Sequence, residues 1–158
     1  MNVFSVTGTI RSFGQSQFNL ARHQYAYVEI VESNGRRVSV QNVLVGNRVG
    51  TVIDPSTQGE FFFDKFLFMF VPIVQLWGVK THDGLVGYSR NVRAAVTAWH
   101  IIMGLLMTPL LGLGLPFVVL GLLQLLKLIG TAGAREQLFY GHDEAEARRL
   151  RQQQAVRI

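Results

Sequence analysis

The sequence predicts a β-rich N-terminal domain, a small barrel of the OB or SH3-like kind with five to seven short strands. A transmembrane α-helical hairpin and a short C-terminal helix follow it. Three observations predict this class. The first ninety residues are short runs rich in Val, Phe and Thr, separated by turn signals. From Ala94 through Leu126 the chain carries no Asp, Glu, Lys or Arg over 33 residues, where about 20 apolar residues suffice to span a bilayer. Basic residues flank that run on both sides. The corresponding division is 1–90 for a cytoplasmic strand domain, 94–130 for the hairpin and 131–158 for a polar, basic tail.

Taken in order, Asn2–Phe13 alternates and suits a half-buried strand, and Phe13–His23 reads as a polar loop. His23–Glu32 and Arg36–Val45 flank Ser33-Asn34-Gly35, and Asn-Gly between β-rich runs is a strong hairpin signal. Arg48–Ile53 reads as a further short strand. In the Phe-rich stretch, Ile73–Lys80 reads as a strand and Phe61–Val71 as a strand or a membrane-touching loop. A third crossing through Phe66–Val79 is the alternative, although fourteen residues are short for a span. Thr81-His82-Asp83-Gly84 reads as a turn between Ile73–Lys80 and Leu85–Arg90.

The apolar run is too long for one crossing, since as one helix it would rise roughly 50 Å against a hydrocarbon core of about 30 Å. Gly112-Leu113-Gly114-Leu115-Pro116 punctuates it, giving helices over 95–112 and 115–130. Both are short, which implies some bilayer thinning. Arg90 and Arg93 precede the run, while Lys127, Arg135, Arg148, Arg149 and Arg151 follow it. Lys and Arg next to membrane segments favour the cytoplasmic side. A hairpin keeps both basic flanks there and a single span does not. Both termini are therefore expected in the cytoplasm, at a membrane of the bacterial inner, cytoplasmic type. The start of the chain shows neither a basic n-region nor an apolar h-region, so no cleaved signal peptide is expected.

Candidate residues are few. His100 lies inside the first membrane helix, and Gln124 and Lys127 lie on the return helix; polar groups there are functional candidates by default. Their plainer role is hydrogen bonding across the hairpin near the interface. Gly104, Thr108 and Gly112 recur every four residues, a small-residue stripe that lets helices approach closely within the hairpin or between protomers. Arg36, Arg37, Arg148, Arg149 and Arg151 are candidates for contact with lipid or an anionic partner; Arg157 completes the basic tail. Asp143–Gln154 favours a helix, with Asp143 as cap and a Glu144–Arg148 pair.

Zero cysteines excludes disulfides and cysteine-ligated metals. The four histidines, 23, 82, 100 and 142, have no ligand-pair spacing. No Gly-rich phosphate loop, HExxH or GxSxG occurs. No enzyme, catalytic residue, cofactor or metal is expected. The net charge of +5 suits anionic lipid as readily as nucleic acid. The leading expectation is a membrane-anchored adaptor or assembly subunit that contacts a protein, or its own copies, through the β-domain. A small oligomeric channel or transport accessory is the alternative. A membrane-tethered nucleic-acid-binding barrel, suggested by arginines interleaved with Phe13, Phe18, Tyr25 and Tyr27, is the third.

Overall fold

The computed structural model describes residues 3–19, 22–68, 71–89, 92–109 and 112–155. Arg90 and Arg157, two of the flanking basic residues, lie outside them, as does the side chain of Phe18. Seven strands, β1 (Val3–Phe13), β2 (Ser16–Asn19), β3 (Arg22–Val31), β4 (Arg37–Gly46), β5 (Gln58–Phe68), β6 (Val71–Thr81) and β7 (Val86–Tyr88), form one sheet. Period-two patterning orients them. Val28, Ile30 and Val40 are buried, whereas Tyr27 faces its partner Gln41 on the open side.

The strand order is β1-β5-β6-β4-β3-β2, with β7 on β6. All pairings are antiparallel except β4 with β6, which run parallel at Val43–Val45 and Val74–Leu76. β1 pairs twice. Its first part, Val3 to Thr9, lies on β5, and its end, Thr9 to Phe13, lies on β3 with a register shift between Ile10 and Ser12. The pairing path β1-β5-β6-β4-β3 thus returns to β1. The main core draws on all five of these strands, including Ile10, Val28, Ile30, Val43, Val45, Phe61, Phe63 and Leu76.

The Ser33-Asn34-Gly35 turn forms, in a three-residue rather than a two-residue form. Gly35 N–H donates to Glu32 O and Glu32 N–H to Arg36 O, with Gly35 at φ +81° and Asn34 not in the positive-φ region. That is a turn closed by a left-handed glycine. Thr81–Gly84 repeats the arrangement, with Gly84 at φ +80°.

Three segments differ from the expectation. Arg48–Ile53 is not a strand: α1 (Asn47–Gly50) and a following turn occupy it. Its buried Val49, Val52 and Ile53 fall at helical spacing, which outweighs the β propensity of Val and Ile. The loop expected over Phe13–His23 contains β2, a short strand paired antiparallel to β3. Phe66–Val79 does not form a crossing helix. Its described residues belong to β5 and β6, which pair from Gly59–Thr81 to Phe68–Val71. β5 lacks alternation because it is covered on both faces: Phe61 and Phe63 enter the main core, while Phe62 packs with Trp77, Phe139 and Tyr140.

Helices follow the sheet. α2 (Val92–Met107) stops ahead of Pro109, whose missing N–H and restricted neighbour oppose continuation. α3 (Leu115–Tyr140) begins at Gly114 with Pro116 in its first turn, where proline is tolerated. It runs ten residues beyond the expected Gly130. α4 (Glu144–Ala155) starts with Asp143 Oδ1 accepting from Ala145 N–H at 2.8 Å. Leu150 of α4 is buried on the Trp77–Phe139–Tyr140 cluster, so this helix docks on the sheet instead of standing in solvent. No single helix among the described residues is long and apolar enough to cross a membrane. Leu115–Thr131 and Gly133–Tyr140 meet that length and composition only together, bent by 41°.

Candidate functional site

The outward face of β5 carries Phe62, Asp64, Phe66 and Phe68, spaced by two, and each meets a helix. Phe62 lies edge-on to Phe139 of α3, with ring centres 5.0 Å apart. Phe66 packs with Val92 and Val96 of α2. Phe68 reaches the rings of Trp99 and His100, at 5.5 and 5.9 Å. Asp64, between them, is fully buried and binds two arginines.

Arg93 Nη2, at the start of α2, donates to Asp64 Oδ1 at 2.5 Å and to Lys65 O at 2.6 Å. Its Nη1 donates to Thr131 Oγ1 of α3 at 3.4 Å. Arg135 Nη1 donates to Asp64 Oδ2 at 3.2 Å, and its guanidinium lies 4.4 Å from the centre of the Trp77 ring. One carboxylate thus ties β5 to α2 and α3 together. Beside it, Gln75 of β6 accepts from Val92 N–H at 3.1 Å and meets one of the free donors at the start of α2. Burial pushes the Asp64 carboxyl up, and the charges of Arg93 and Arg135 oppose that. Burial lowers Arg135, opposed by Asp64. Such a buried cluster defines geometry more than it adds stability, because desolvation offsets most of the Coulomb attraction.

The polar residues of the hairpin gather at the end of the β5–β6 pair. His100 is buried, its Nδ1 donating to Val96 O at 2.8 Å, and its ring lies against Phe68 and Phe117. Gln124 Nε2 donates to Leu67 O at 2.7 Å. Its Oε1 is buried and has no hydrogen-bond partner among the described residues, a deficit worth about 1–3 kcal/mol. Lys127 is exposed. His100 is level with Gly121, whose added Cβ would meet Ile101 and His100, and not with Lys127. The reason is that α2 ends at Met107, which shifts the turn toward the N-terminus of the punctuated stretch.

Of the small-residue stripe, Gly104 is buried inside the hairpin. A Cβ on it would lie 2.7 Å from Val118, and one on Gly114 would lie 1.8 Å from Gly104 O. Thr108 Oγ1 donates back to Gly104 O at 2.7 Å, and Gly112, at φ +75°, shapes the turn. Arg36, Arg37, Arg148 and Arg149 are exposed. Arg148 reaches Glu144 at 3.5 Å across open surface, and Arg151 lies over the Tyr140 ring at 5.0 Å. The structure therefore brings His100 and Gln124 together at the strand–helix junction and leaves Arg36, Arg37, Arg148, Arg149 and Arg151 apart from it.

The sequence marks Arg93 and Arg135 only as charge flanking the apolar run and does not single out Asp64. The signal available was Asp64 itself, an acid within a run of buried phenylalanines. Among the described residues no group of three His, Asp or Glu is placed to hold a metal ion. Twelve of the sixteen exposed large apolar side chains among the described residues lie between Trp99 and Ile129. Comparison with known proteins found no matching family model, curated protein or solved structure.

Proposed function

We propose that this chain is a non-catalytic integral membrane protein, an adaptor or assembly subunit whose strand domain rides on a two-helix hairpin embedded in the bilayer. The observation that carries the reading is the apolar belt of α2 and α3. Leu105, Leu106, Leu122, Leu126 and Ile129 are each at least half exposed, a contiguous patch of the kind that needs a lipid or protein cover. The sixteen residues of α2 rise about 24 Å and Leu115–Thr131 about 25 Å. The hairpin thus enters a locally thinned bilayer, its turn toward the far interface and the sheet on the near one.

The finer architecture is a closed barrel. The ring β1-β5-β6-β4-β3-β1, its parallel β4–β6 closure and the short α1 between β4 and β5 support an OB-like order. Lys127, Arg148, Arg149 and Arg151 put basic charge on the sheet side, supporting a cytoplasmic face for the domain and both termini. Arg93 and Arg135 are engaged by Asp64 and weigh less in that argument. Because Gly104 packs on Val118 within the chain, contact with a protein partner or another copy falls to the sheet. Its open β3–β4 face presents Tyr27, Arg37 and Gln41. Photo-crosslinking side chains at Gln41 and Tyr27, introduced in native membranes, are expected to trap one discrete adduct. Absence of any adduct at both positions, in folded and membrane-inserted protein, would contradict the adaptor role.

A further inference from the structure

At its helix-facing end the β5–β6 pair outruns its neighbours in the sheet. Among the described residues β1 pairs with β5 only as far as Asp64, and β4 pairs with β6 only from Val74 onward. No third described strand therefore flanks the tip, 65–68 on β5 and 71–73 on β6. The edge carbonyls of such a tip ordinarily go to water. Here three of them take side-chain donors. Lys65 O accepts from Arg93 Nη2 at 2.6 Å, Leu67 O from Gln124 Nε2 at 2.7 Å and Pro72 O from Asn42 Nδ2 at 3.4 Å. Pro72 brings no N–H to its edge. Backbone carbonyls satisfied from within the protein are what a water-free medium requires.

The side chains point the same way. None of residues 66–68 and 71–74 is polar. Phe66 and Phe68 pack on α2, whereas Leu67 and Val71 are 38% and 52% exposed and Pro72 is exposed beside them. Gln124 sets their depth. It holds Leu67 O, while Leu122, Leu123 and Leu126 around it on α3 are at least half exposed and belong to the apolar belt. Leu67 is thus level with the belt. Exposed Lys65 and Lys127 lie two residues back on β5 and three residues further along α3. From the edge of an apolar zone, lysines extend their charge to the headgroups. At about 3.3 Å per residue the tip reaches about 10 Å past Lys65, the depth to which interfacial segments bury their apolar side.

We propose that the β5–β6 tip is a third membrane-contacting element. Leu67, Val71 and Pro72 lie among the acyl chains of the near leaflet, and Lys65 lies at its headgroups. The proposal rests on the membrane reading of the hairpin. It adds that the strand domain is itself sunk into the lipid at this end, rather than held above it by the helices alone.

The test uses the full chain, which has no cysteine, in phosphatidylcholine vesicles. Single cysteines at Leu67, Val71, Leu122 and Ser33 each carry an environment-sensitive fluorophore, and all four side chains are exposed, so the labels displace no core. Lipid carrying a nitroxide on its acyl chain quenches from within the bilayer, and iodide quenches from water. The expected result is lipid quenching at 67 and 71 like that at 122, with iodide quenching about fivefold or more below that at 33. Iodide quenching at 67 and 71 equal to that at 33, with 122 quenched by lipid, would overturn the tip insertion and leave the membrane reading standing. Protection of 67 and 71 from both quenchers would overturn lipid in favour of a protein cover. Iodide quenching equal at all four positions would overturn both readings.

Discussion

Arg93 and Asp64, 29 residues apart in the chain, meet at 2.5 Å in a fully buried pair that joins α2 to β5. Arg135, on the return helix, takes the other carboxylate oxygen. The relation is unequal. Arg93 also donates to Lys65 O and Thr131, while Arg135 adds a stack on Trp77. Arg93→Met is therefore expected to destabilise by about 3–5 kcal/mol, the range for breaking a buried pair. Arg135→Met leaves a one-to-one pair and should cost less, about 1–3 kcal/mol. Denaturation of the two variants in one detergent checks the ranking, and a reversed order would contradict it.

Protonation of Asp64 should favour the folded chain. Burial holds its carboxyl above the ordinary 3.8 in the folded state, so between the two values the folded chain binds more protons than the unfolded one. This group's contribution is fully present below the unfolded value and is lost as pH rises through the folded one. Asp64→Asn removes the titration. Stability of the variant relative to the wild type should become more favourable as pH rises above the ordinary carboxyl value. Paired thermal melts that show no pH dependence, or the opposite slope, would contradict this.

The glycines of the hairpin should separate into two classes. Gly114→Ala places a methyl group on Gly104 O and should cost about 1–3 kcal/mol by overpacking. Gly130 and Gly133, helical with nothing within 4 Å of an added Cβ, should gain up to about 1 kcal/mol as alanine. Gly104→Leu should lower the yield of folded protein without changing subunit number. A clean shift of that variant to monomer would instead place the stripe between protomers.

Gly35→Val should cost about 1 kcal/mol or more, because valine is strained at φ +81° even though open space surrounds the position. Arg36→Gln, on the exposed side of the same turn, should change stability by less than about 0.5 kcal/mol. Equal melting shifts for the two would argue against the turn as described.

Local signals made much of the sheet legible. The turns at Gly35 and Gly84 and strands β3 and β4 follow from alternation and glycine placement within a residue or two of the expectation. β2 and α1 were not legible, one because Ser16–Asn19 is only four residues long and carries no run of apolar alternation, the other because three apolar residues fit either period. The junction was the least legible. Asp64 finds Arg93 and Arg135 only once β5 is laid across both helices, and no spacing along the chain encodes that contact. His100 and Gln124 were visible as polar residues in an apolar run, but Gln124 bonds β5 at Leu67 O, and His100 bonds Val96 O of its own helix while its ring meets Phe68 and Phe117. The hydrophobic run announced itself, yet α3 continues to Tyr140, since Phe139 and Arg135 dock on the sheet.

The central claim is that lipid covers the outer face of α2 and α3. The chain has no cysteine, so single cysteines at Leu105, Leu122 and, as a control on the sheet, Ser33 can each carry a spin label in reconstituted vesicles. The account predicts that labels at 105 and 122 are relaxed by dissolved oxygen and shielded from a water-soluble nickel complex, while the label at 33 shows the reverse. Nickel access at 105 and 122 equal to that at 33 would contradict it.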